Sequence, residues 1–452
     1  MAAGVTAAGA MAAGTTVAGA TAAGIMAVGA TAGTTGKHVQ SFAPSQAPVG
    51  RPEIEMVIIQ PTAFCNINCS YCYLPDRSNK HVIAQSTVTR LFTELFASGW
   101  CNPEITVLWH AGEPLAVPVS FYREAFATIE RLRPKGVEGG PGAVRVQHSF
   151  QTNGMLIDAE WCRLFRDWQV GVGVSIDGPR ELHDAHRKTR SGAGTFDKTI
   201  AGIRCLKAAN WPVHVLSVLS RASLEMPEEM LAFYISEGID HVCFNVEESE
   251  GDYVSDLFQG AELRQRYERF LRTFWHLARA DGRVKFVREI DHALPRVFRP
   301  EGVRARNIQV EPLGMINVDS HGNVSSFSPE LLGYKNADYG DFLLGNINTQ
   351  SLAEIYATTL GSALLRDIRV GTEACRANCE YFSVCGGGAP VNKLFENGRF
   401  DSTTTSFCTL TQMVPTDLIL EAYDKLEQNW TGNGLPAIAP PAAQPAPSPR
   451  MP

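Results

Sequence analysis

Short β-branched runs alternate with amphipathic stretches along the first half of this 452-residue sequence. That alternation is typical of βα units, in which parallel strands are joined by helices that cover the sheet. One amphipathic stretch, residues 87–98, places Val88, Leu91 and Leu95 on one face and is followed by Gly99, a helix stop. The sequence therefore predicts an α/β fold in which six βα units form an open, partial barrel. The predicted strands lie near residues 55–60, 104–109, 145–151, 170–176, 213–219 and 240–246.

Polar motifs follow five of these strands at the point where each strand ends. In βα barrels the working residues collect on the loops at the carboxyl ends of the strands. We therefore expect the five motifs to meet at one mouth of the barrel. They are CNINCSYCY after the first strand, HAGEP (110–114) after the second, QTNG (151–154) after the third, SIDGP (175–179) after the fourth and NVEE (245–248) after the sixth.

Three cysteines, Cys65, Cys69 and Cys72, lie in the loop after the first predicted strand. A 4Fe-4S cluster normally takes four thiolates, so a loop with three leaves one iron able to bind another ligand. The alternative is a zinc knuckle, which usually pairs its thiols as C-x2-C and has a fourth ligand nearby. The closest histidine is His81 and the next cysteine is Cys101, so the spacing favours the cluster.

With Tyr71 before its last cysteine, the triplet resembles the cluster-binding motif of the radical S-adenosylmethionine (SAM) enzymes. In that superfamily the open iron chelates the amino and carboxylate groups of SAM. HAGEP is similar to the GGEP motif of the same enzymes, which holds the methionyl ammonium of SAM. The resemblance implies that Gly112 and Glu113 contact SAM, and Ala111 stands where the motif has its first glycine.

The resemblance also implies SAM-binding roles at the third and fourth strand ends. Asn153, Ser175 and Asp177 offer donors and acceptors for the ribose hydroxyls and the carboxylate. Arg187 would add a charged fork to the carboxylate. The alternatives are plain turn chemistry for the Asn-Gly and Asp-Gly pairs and a solvated cluster of charges for Arg187.

Four further cysteines form a second set in the C-terminal region: Cys375, Cys379, Cys385 and Cys408. Four thiolates suit a fully ligated 4Fe-4S cluster, and a four-thiolate zinc site is the alternative. The stretch CEYFSVCGGG resembles the SPASM domain of radical SAM peptide maturases, which usually carries two auxiliary clusters. Ala389 replaces the usual cysteine after CGGG, and the upstream segment PLGMINVDSHGNVSSFSPELLG contains no cysteine. The resemblance therefore implies a single auxiliary 4Fe-4S cluster.

This Cys-free segment, followed by LLGNIN and a late cysteine, is similar to the GrrM/OscB-type cyclophane-forming maturases. The resemblance implies an enzyme that cleaves SAM to a 5′-deoxyadenosyl radical and joins an aromatic ring to a side-chain Cβ in a ribosomally made, Gly-rich-repeat precursor peptide. Each crosslink removes one hydrogen atom, one proton and one electron, and the auxiliary cluster is the expected electron acceptor. Glu247 and Glu248 are the candidate bases by topology. A flavodoxin or ferredoxin is the expected electron donor.

The two low-complexity tails, the end of the last amphipathic stretch at Gly282 and the resemblance set the predicted domain boundaries. Residues 1–52 read as an Ala/Gly-rich tail and lead-in, 53–284 as the radical SAM partial barrel, 285–432 as the SPASM-like domain and 433–452 as a Pro/Ala-rich tail. Both tails are predicted to be disordered because their composition cannot bury enough apolar surface to fold.

Charge and hydropathy exclude two classes of partner. A formal net charge of −7 gives no basic footprint for nucleic acid. No run of strongly apolar residues is long enough to indicate a membrane span. Seven of the eleven cysteines fall in the two metal-like sets, which fits a reducing cytoplasm.

Two other functions remain open at this point. One is a different radical SAM peptide modification, such as thioether or formylglycine formation, although the missing cluster ligands depart from the sulfatase-maturase pattern. The other is a non-enzymatic electron carrier or a zinc-stabilised binding protein. We expect a precursor peptide to dock over the barrel mouth or on the C-terminal region.

Overall fold

The computed structural model describes residues 51–136, 142–248, 255, 257, 262–300 and 302–432, with side chains described up to residue 425. The Ala/Gly-rich tail up to residue 50 and the Pro/Ala-rich tail at 433–452 lie outside the described residues, so their predicted disorder stays a prediction.

Ten strands occur in the described residues. They are β1 (Ile54–Ile59), β2 (Cys101–Trp109), β3 (Arg145–Thr152), β4 (Gly171–Ser175), β5 (His214–Leu219), β6 (His241–Val246), β7 (Phe286–Val287), β8 (Met315–Val318), β9 (Asn323–Ser326) and β10 (Gly345–Asn346).

The α-helices of the same residues separate and follow these strands. They are α1 (Gln85–Ser98), α2 (Val119–Leu132), α3 (Ala159–Asp167), α4 (Arg180–His186), α5 (Phe196–Ala208), α6 (Pro227–Glu237), α7 (Leu263–Asp281), α8 (Arg288–Asp291), α9 (Leu294–Val297), α10 (Leu352–Gly361), α11 (Ala363–Asn378), α12 (Phe382–Cys385), α13 (Pro390–Asn397), α14 (Ser406–Cys408) and α15 (Val414–Gly432).

The strands form one open sheet in the order β10-β9-β8-β1-β2-β3-β4-β5-β6-β7. Strands β1 to β7 are parallel to one another, and β8 is parallel to β1. Strand β9 is antiparallel to both of its neighbours, β8 and β10. The six predicted strands are therefore confirmed as β1 to β6, in their predicted order. The sheet is wider than predicted because residues after α7 pair with both of its open edges, whose free backbone groups accept further strands.

Alternation along β1 separates the two faces of the sheet. Val57 and Ile59 belong to the main core, in which buried residues of α1 and α2 also lie. Met56 and Ile58 point to the other face, where they form a small separate cluster with Leu108 and Met315. The inner face of the partial barrel is thus apolar at its first strand.

The C-terminal residues contribute to two cores. Phe327, Phe342, Ile368 and Phe400 belong to a cluster of their own. Leu410, near the late cysteine, instead belongs to the main core together with residues of the barrel helices. The chain just after Cys408 therefore packs against the barrel. Among the described helices, none combines the length and hydropathy that crossing a bilayer requires.

Candidate active site

The three cysteines of the first set lie in the loop between β1 and α1, with Cys69 buried and Cys65 and Cys72 half-buried. Residues 186–190, at the end of α4, hold this loop in place. The contacts are a bridge between Ile67 and Thr189, and hydrogen bonds from Asn68 N to Lys188 O (2.7 Å), from Ser70 N to His186 O (3.0 Å) and from Arg190 Nε to Cys65 O (3.0 Å). The charged stretch HDAHRKTR thus fixes the cysteine loop, a role that its sequence did not indicate.

Burial controls the acidity of these thiols. It raises the pKa of Cys65 to about 12, and the nearby Glu113 carboxylate contributes in the same direction. Burial also raises the pKa of Cys69 to about 12, partly offset by the Arg187 guanidinium. Such thiols become thiolates when a metal binds them, because a coordinated metal replaces the proton.

The HAGEP turn packs its backbone against the cysteine loop. Gly112 has a positive φ of 78°, and a Cβ at this position would lie 2.4 Å from the carbonyl oxygen of Thr62. Only glycine fits such a contact. Ala111 also has a positive φ, of 65°, although it carries a Cβ. The glycine-to-alanine departure seen in the motif therefore places a strained residue beside the cysteine loop.

Glu113 is buried, and hydrogen bonds engage both of its carboxylate oxygens. Oε1 accepts from Leu115 N (2.9 Å) and Thr152 Oγ1 (2.7 Å), and Oε2 accepts from Asn153 N (2.9 Å). Burial raises the pKa of Glu113 to about 6, although these hydrogen bonds act in the opposite direction. The carboxylate therefore joins the ends of β2 and β3, as the predicted meeting of strand ends requires.

Asn153 connects the end of β3 to the cysteine loop. Its Nδ2 donates to Asn66 Oδ1 at 2.7 Å and lies 4.0 Å from Cys65 Sγ. Its side-chain oxygen accepts from Met155 N at 3.1 Å, as in a turn. Asn153 therefore has the turn role expected of an Asn-Gly pair and also lies beside a cysteine. Ser175, at the end of β4, accepts a hydrogen bond from Gln151 Nε2 at 2.8 Å.

Asp177, Arg187 and Tyr71 form a buried network at the end of β4. Arg187 bonds both oxygens of Asp177, at 2.9 and 3.0 Å, and Tyr71 donates its hydroxyl to the same carboxylate. Burial would raise the pKa of Asp177, but the Arg187 guanidinium and the hydrogen bonds lower it overall. Arg187 is therefore not part of a solvated charge cluster. In this structure its fork is directed at Asp177.

The two acidic residues after β6 differ in their surroundings. Glu247 accepts a hydrogen bond from Ser255 Oγ at 3.1 Å. Both carboxylate oxygens of Glu248 are buried and have no hydrogen-bond partner among the described residues. Burial, together with the nearby carboxylates of Glu330 and Glu396, raises the pKa of Glu248 well above its ordinary value.

Glu330 is a buried acid that sequence reasoning missed. It lies in a short 3-10 turn, Pro329–Leu331, after β9, and burial raises its pKa to about 7. Its Oε1 has no hydrogen-bond partner among the described residues, while Oε2 accepts from Ser328. The only sequence signal was an isolated acid in the Cys-free segment, which gave no indication of burial.

The four cysteines of the second set come together, as the sequence predicted. They are contributed by α11, the residue after it, α12 and α14, and all four line one small cavity. Thr405 N donates to Cys408 Sγ at 3.2 Å, and Lys393 Nζ donates to Cys375 Sγ at 3.3 Å. These donors suit thiolates that carry negative charge.

The arrangement of the thiols bears on the choice of metal. A four-thiolate zinc site needs every sulfur about 2.3 Å from one point. Within the described part of the chain, no three side chains of His, Cys, Asp or Glu are gathered closely enough to ligate one metal ion. Four cysteines around one cavity are the donor set of a fully ligated 4Fe-4S cluster, so the residues present fit that group.

A larger cavity, of about 560 Å³, lies at the opposite end of the sheet from the first cysteine set. The first residues of β1, β2 and β3 line one side, including Glu55, Glu104 and Arg145. Cys385 of the second set and Arg296 line another side. The cavity therefore runs between the barrel and the C-terminal region and presents charges of both signs.

Known proteins that are similar to this chain indicate its family and its fold. Residues 59–234 match the Radical SAM superfamily. An uncharacterized protein of Synechocystis sp. is 38% identical over 370 residues, which are 82% of this chain and 92% of that protein. The serine-type anaerobic sulfatase-maturating enzyme of Bacteroides thetaiotaomicron is 26% identical over 378 residues, or 78% and 86% of the two chains.

One solved structure shows how far the fold agrees. Native anSMEcpe with bound AdoMet and Cp18Cys peptide matches this chain with a TM-score of 0.64 at 20% identity. The match covers 84% of this chain and 99% of that one. The shared α/β fold therefore includes the C-terminal region as well as the barrel.

Proposed function

Because this chain belongs to the Radical SAM superfamily and is homologous to the anaerobic sulfatase-maturating enzymes, we propose that it is a peptide maturase that forms cyclophanes. Its substrate would be a ribosomally made, Gly-rich-repeat precursor peptide, in which an aromatic ring is joined to a side-chain Cβ. The observation that carries the proposal is the pairing of a three-thiol loop with a single four-thiol cavity.

The first cysteine set would hold the SAM-binding 4Fe-4S cluster through Cys65, Cys69 and Cys72. SAM bound there would supply a 5′-deoxyadenosyl radical able to abstract a hydrogen atom from the peptide. The chain's own contribution is to fix this loop against three strand ends. Asn153 and Asp177 do so directly, since each contacts a residue of the loop. We propose SAM contacts for the residues around the loop, Tyr71, Gly112, Glu113, Asn153, Ser175 and Asp177. Arg187 would act through Asp177, whose carboxylate its fork binds.

The second cysteine set would hold one auxiliary 4Fe-4S cluster through Cys375, Cys379, Cys385 and Cys408. The Cys-free segment supports one cluster in place of two. In β8 and β9 its polar groups bond one another, with Asn317 Nδ2 donating to Ser325 Oγ (3.1 Å) and to Ser328 O (2.9 Å). This hairpin offers no thiol for a further cluster.

The reaction also releases a proton, and Glu247 and Glu248 are our candidate acceptors. Glu248 is the better placed chemically, because neither of its carboxylate oxygens is engaged by a hydrogen bond from the described residues. A buried carboxyl with a raised pKa accepts a proton strongly once it has ionised. Glu247 is instead held by Ser255.

The remaining partners follow from the proposed chemistry. The SAM-binding cluster needs a one-electron donor such as a flavodoxin or ferredoxin. The 560 Å³ cavity beside Cys385 is our candidate for binding parts of the peptide away from the reacting residues, and its volume is in the range typical of ligand sites. All eleven cysteines are free thiols, which supports a reducing, cytoplasmic location.

Co-production with a Gly-rich peptide encoded nearby, followed by anaerobic reconstitution, tests the proposal. We expect about eight irons per chain, as two cubes require, release of 5′-deoxyadenosine, and a peptide that loses two hydrogens per crosslink. Backbone fragmentation should fail within the crosslinked ring. Zinc in place of iron, without SAM turnover, would refute both the cluster assignment and the enzyme assignment.

Formylglycine formation is the second candidate, and the 26% identity to a sulfatase-maturating enzyme favours it. Conversion of a serine to formylglycine also removes two hydrogens, so mass alone does not separate the two products. An aldehyde-reactive aminooxy probe does. Labelling of the product peptide would establish formylglycine, whereas an unlabelled product with a fragmentation-resistant ring establishes the cyclophane. A thioether would map to a cysteine of the peptide.

A further inference from the structure

Lys393, in α13, is a lysine buried beside the second cysteine set. The residue is 2% exposed, and its Nζ donates to Gly371 O at 3.1 Å and to Cys375 Sγ at 3.3 Å. Among the described residues, no carboxylate lies within ion-pair distance of this ammonium group. Its contacts are thus one carbonyl and one cysteine that we assign to a cluster.

A buried ammonium group without a counter-charge is costly, because it loses its hydration and gains no ion pair. One carbonyl oxygen does not supply a negative charge. A thiolate at Cys375, whose Sγ lies 3.3 Å from the ammonium nitrogen, does supply one. The position of Lys393 is therefore explained if the four thiols carry negative charge together.

We propose that Lys393 is a positioning residue that raises the reduction potential of the second cluster. The inference rests on the proposed auxiliary cluster and adds a means by which the chain controls it. A fixed positive charge at a ligand sulfur favours the state with one more electron, because the reduced cluster is the more negative one. The hydrogen bond to Cys375 Sγ acts in the same direction.

The consequence concerns the direction of electron flow. Forming one C–C bond between Cβ and the ring breaks one C–H bond at each carbon. The first hydrogen leaves as an atom to the 5′-deoxyadenosyl radical. The second would leave the ring as a proton that a carboxylate accepts, and the remaining electron would pass to the oxidised cluster held by the second cysteine set. A higher potential makes that cluster a better acceptor.

Redox titration of the full-length chain tests the inference. The three cysteines of the first set are replaced by alanine, so that only the second cluster titrates, and the EPR signal of the reduced cluster is followed against applied potential. At a fixed potential, we expect Lys393→Met to lower the ratio of reduced to oxidised cluster about tenfold, a shift of about 59 mV for one electron. The reduction potential of Lys393→Arg should be close to that of the parent. Lys335→Met, which removes an exposed lysine of the same region, is the matched control.

Lys393→Gln keeps a donor but removes the charge, so it provides the second neutral variant. An unchanged potential in both neutral variants, with iron retained, overturns the inference and leaves the auxiliary cluster intact. If both neutral variants lose the cluster while Lys393→Arg retains it, the charge is needed to hold the cluster, which supports the electrostatic role. Loss in all three variants overturns it, because packing alone would explain that result. Absence of iron from the second set of the parent protein would instead refute the proposed function.

Discussion

Arg187 binds Asp177 through two guanidinium nitrogens, with 2.9 Å from Nε to Oδ2 and 3.0 Å from Nη2 to Oδ1. Both side chains are more than nine-tenths buried. The same carboxylate accepts hydrogen bonds from the Tyr71 hydroxyl and from Val218 N. Because Tyr71 belongs to the cysteine loop and Val218 to β5, one carboxylate ties the loop to the sheet.

Replacing Asp177 by asparagine should therefore loosen the first cluster site. The variant leaves the buried guanidinium of Arg187 without its counter-charge, which costs about 3–5 kcal/mol in typical buried pairs. We expect a lower urea midpoint and reduced iron retention at the first cysteine set. Iron is counted in a background that lacks the cysteines of the second set.

An exposed pair provides the control for this prediction. Arg180 and Asp197 also form a two-point contact, but both side chains lie at the surface. Asp197→Asn should therefore leave the midpoint and the iron content almost unchanged. Equal losses in the two variants would show that Asp177 has no special role in holding the loop.

Ala111→Gly should stabilise the protein. A left-handed backbone costs a residue with a Cβ about 1–2 kcal/mol, and Ala111 has a φ of 65°. Part of this gain is offset by the greater freedom of glycine in the unfolded chain, so the net gain should be about 1 kcal/mol or less. Ala201→Gly, in the exposed face of α5, should instead destabilise by about 1 kcal/mol. Urea unfolding of both variants measures these opposite changes in stability, and a lower stability of Ala111→Gly would contradict the strain argument.

The sequence predicted where the short motifs at the strand ends lie. β-branched alternation placed six strands within a few residues, and parallel order alone brings their carboxyl ends together. The contacts of Asn153 with Asn66, and of Tyr71 with Asp177, show that the cysteine loop meets the ends of β3 and β4. The two cysteine sets were likewise readable from spacing.

The residues that were missed act across long separations in the chain. Lys393 contacts a cysteine 18 residues earlier, and Arg190 contacts the carbonyl of a cysteine 125 residues earlier. Such contacts depend on how α11 and α13 pack and on side-chain rotamers, which no local period encodes. Burial of Glu330 is hidden for the same reason, because a polar segment gives no pattern that marks one of its acids as internal.

Glu330→Gln should flatten the dependence of stability on pH. The folded-state pKa of Glu330 is about 7, raised by burial from an ordinary value of 4.5, so the folded chain holds a proton that the unfolded chain releases. The contribution of Glu330 to stability is therefore fully present below pH 4.5 and is lost as pH rises through 7, by about 3 kcal/mol at most. The glutamine variant lacks this loss, so its stability relative to that of the parent should rise between pH 5 and pH 8.

Urea midpoints at the two pH values measure the Glu330 effect. Glu354→Gln is the control, because hydrogen bonds from Ser351 lower the pKa of Glu354 in the folded chain and its ordinary value of 4.5 already lies below this pH range. Its pH dependence should match that of the parent. If the stability of Glu330→Gln changed with pH as that of the parent does, the pKa of Glu330 would not be raised in the folded chain.

Cys408→Ala should remove the second cluster and leave the first. The variant takes away one of four thiols around the cavity, so iron should fall from about eight to about four per chain. SAM cleavage to 5′-deoxyadenosine should persist, while crosslinking stops for lack of the internal electron acceptor. Cys101→Ala, which removes a lone half-buried thiol, should keep all the iron. Full crosslinking by Cys408→Ala would contradict the acceptor role.

Glu248→Gln tests the proton acceptor. Because Glu248 has no hydrogen-bond partner among the described residues, its amide analogue should fit the same space with little effect on folding. We expect crosslinking to slow by about 100-fold or more, as when a general base is lost, while 5′-deoxyadenosine is still released and both clusters remain. In the parent, crosslinking should increase with pH as the carboxyl ionises, since its pKa is raised.

Glu247→Gln, in which Ser255 can still bond the side-chain oxygen, should lose much less activity. Normal crosslinking by Glu248→Gln, with its iron intact, would eliminate Glu248, and a larger loss in Glu247→Gln would transfer the role to Glu247.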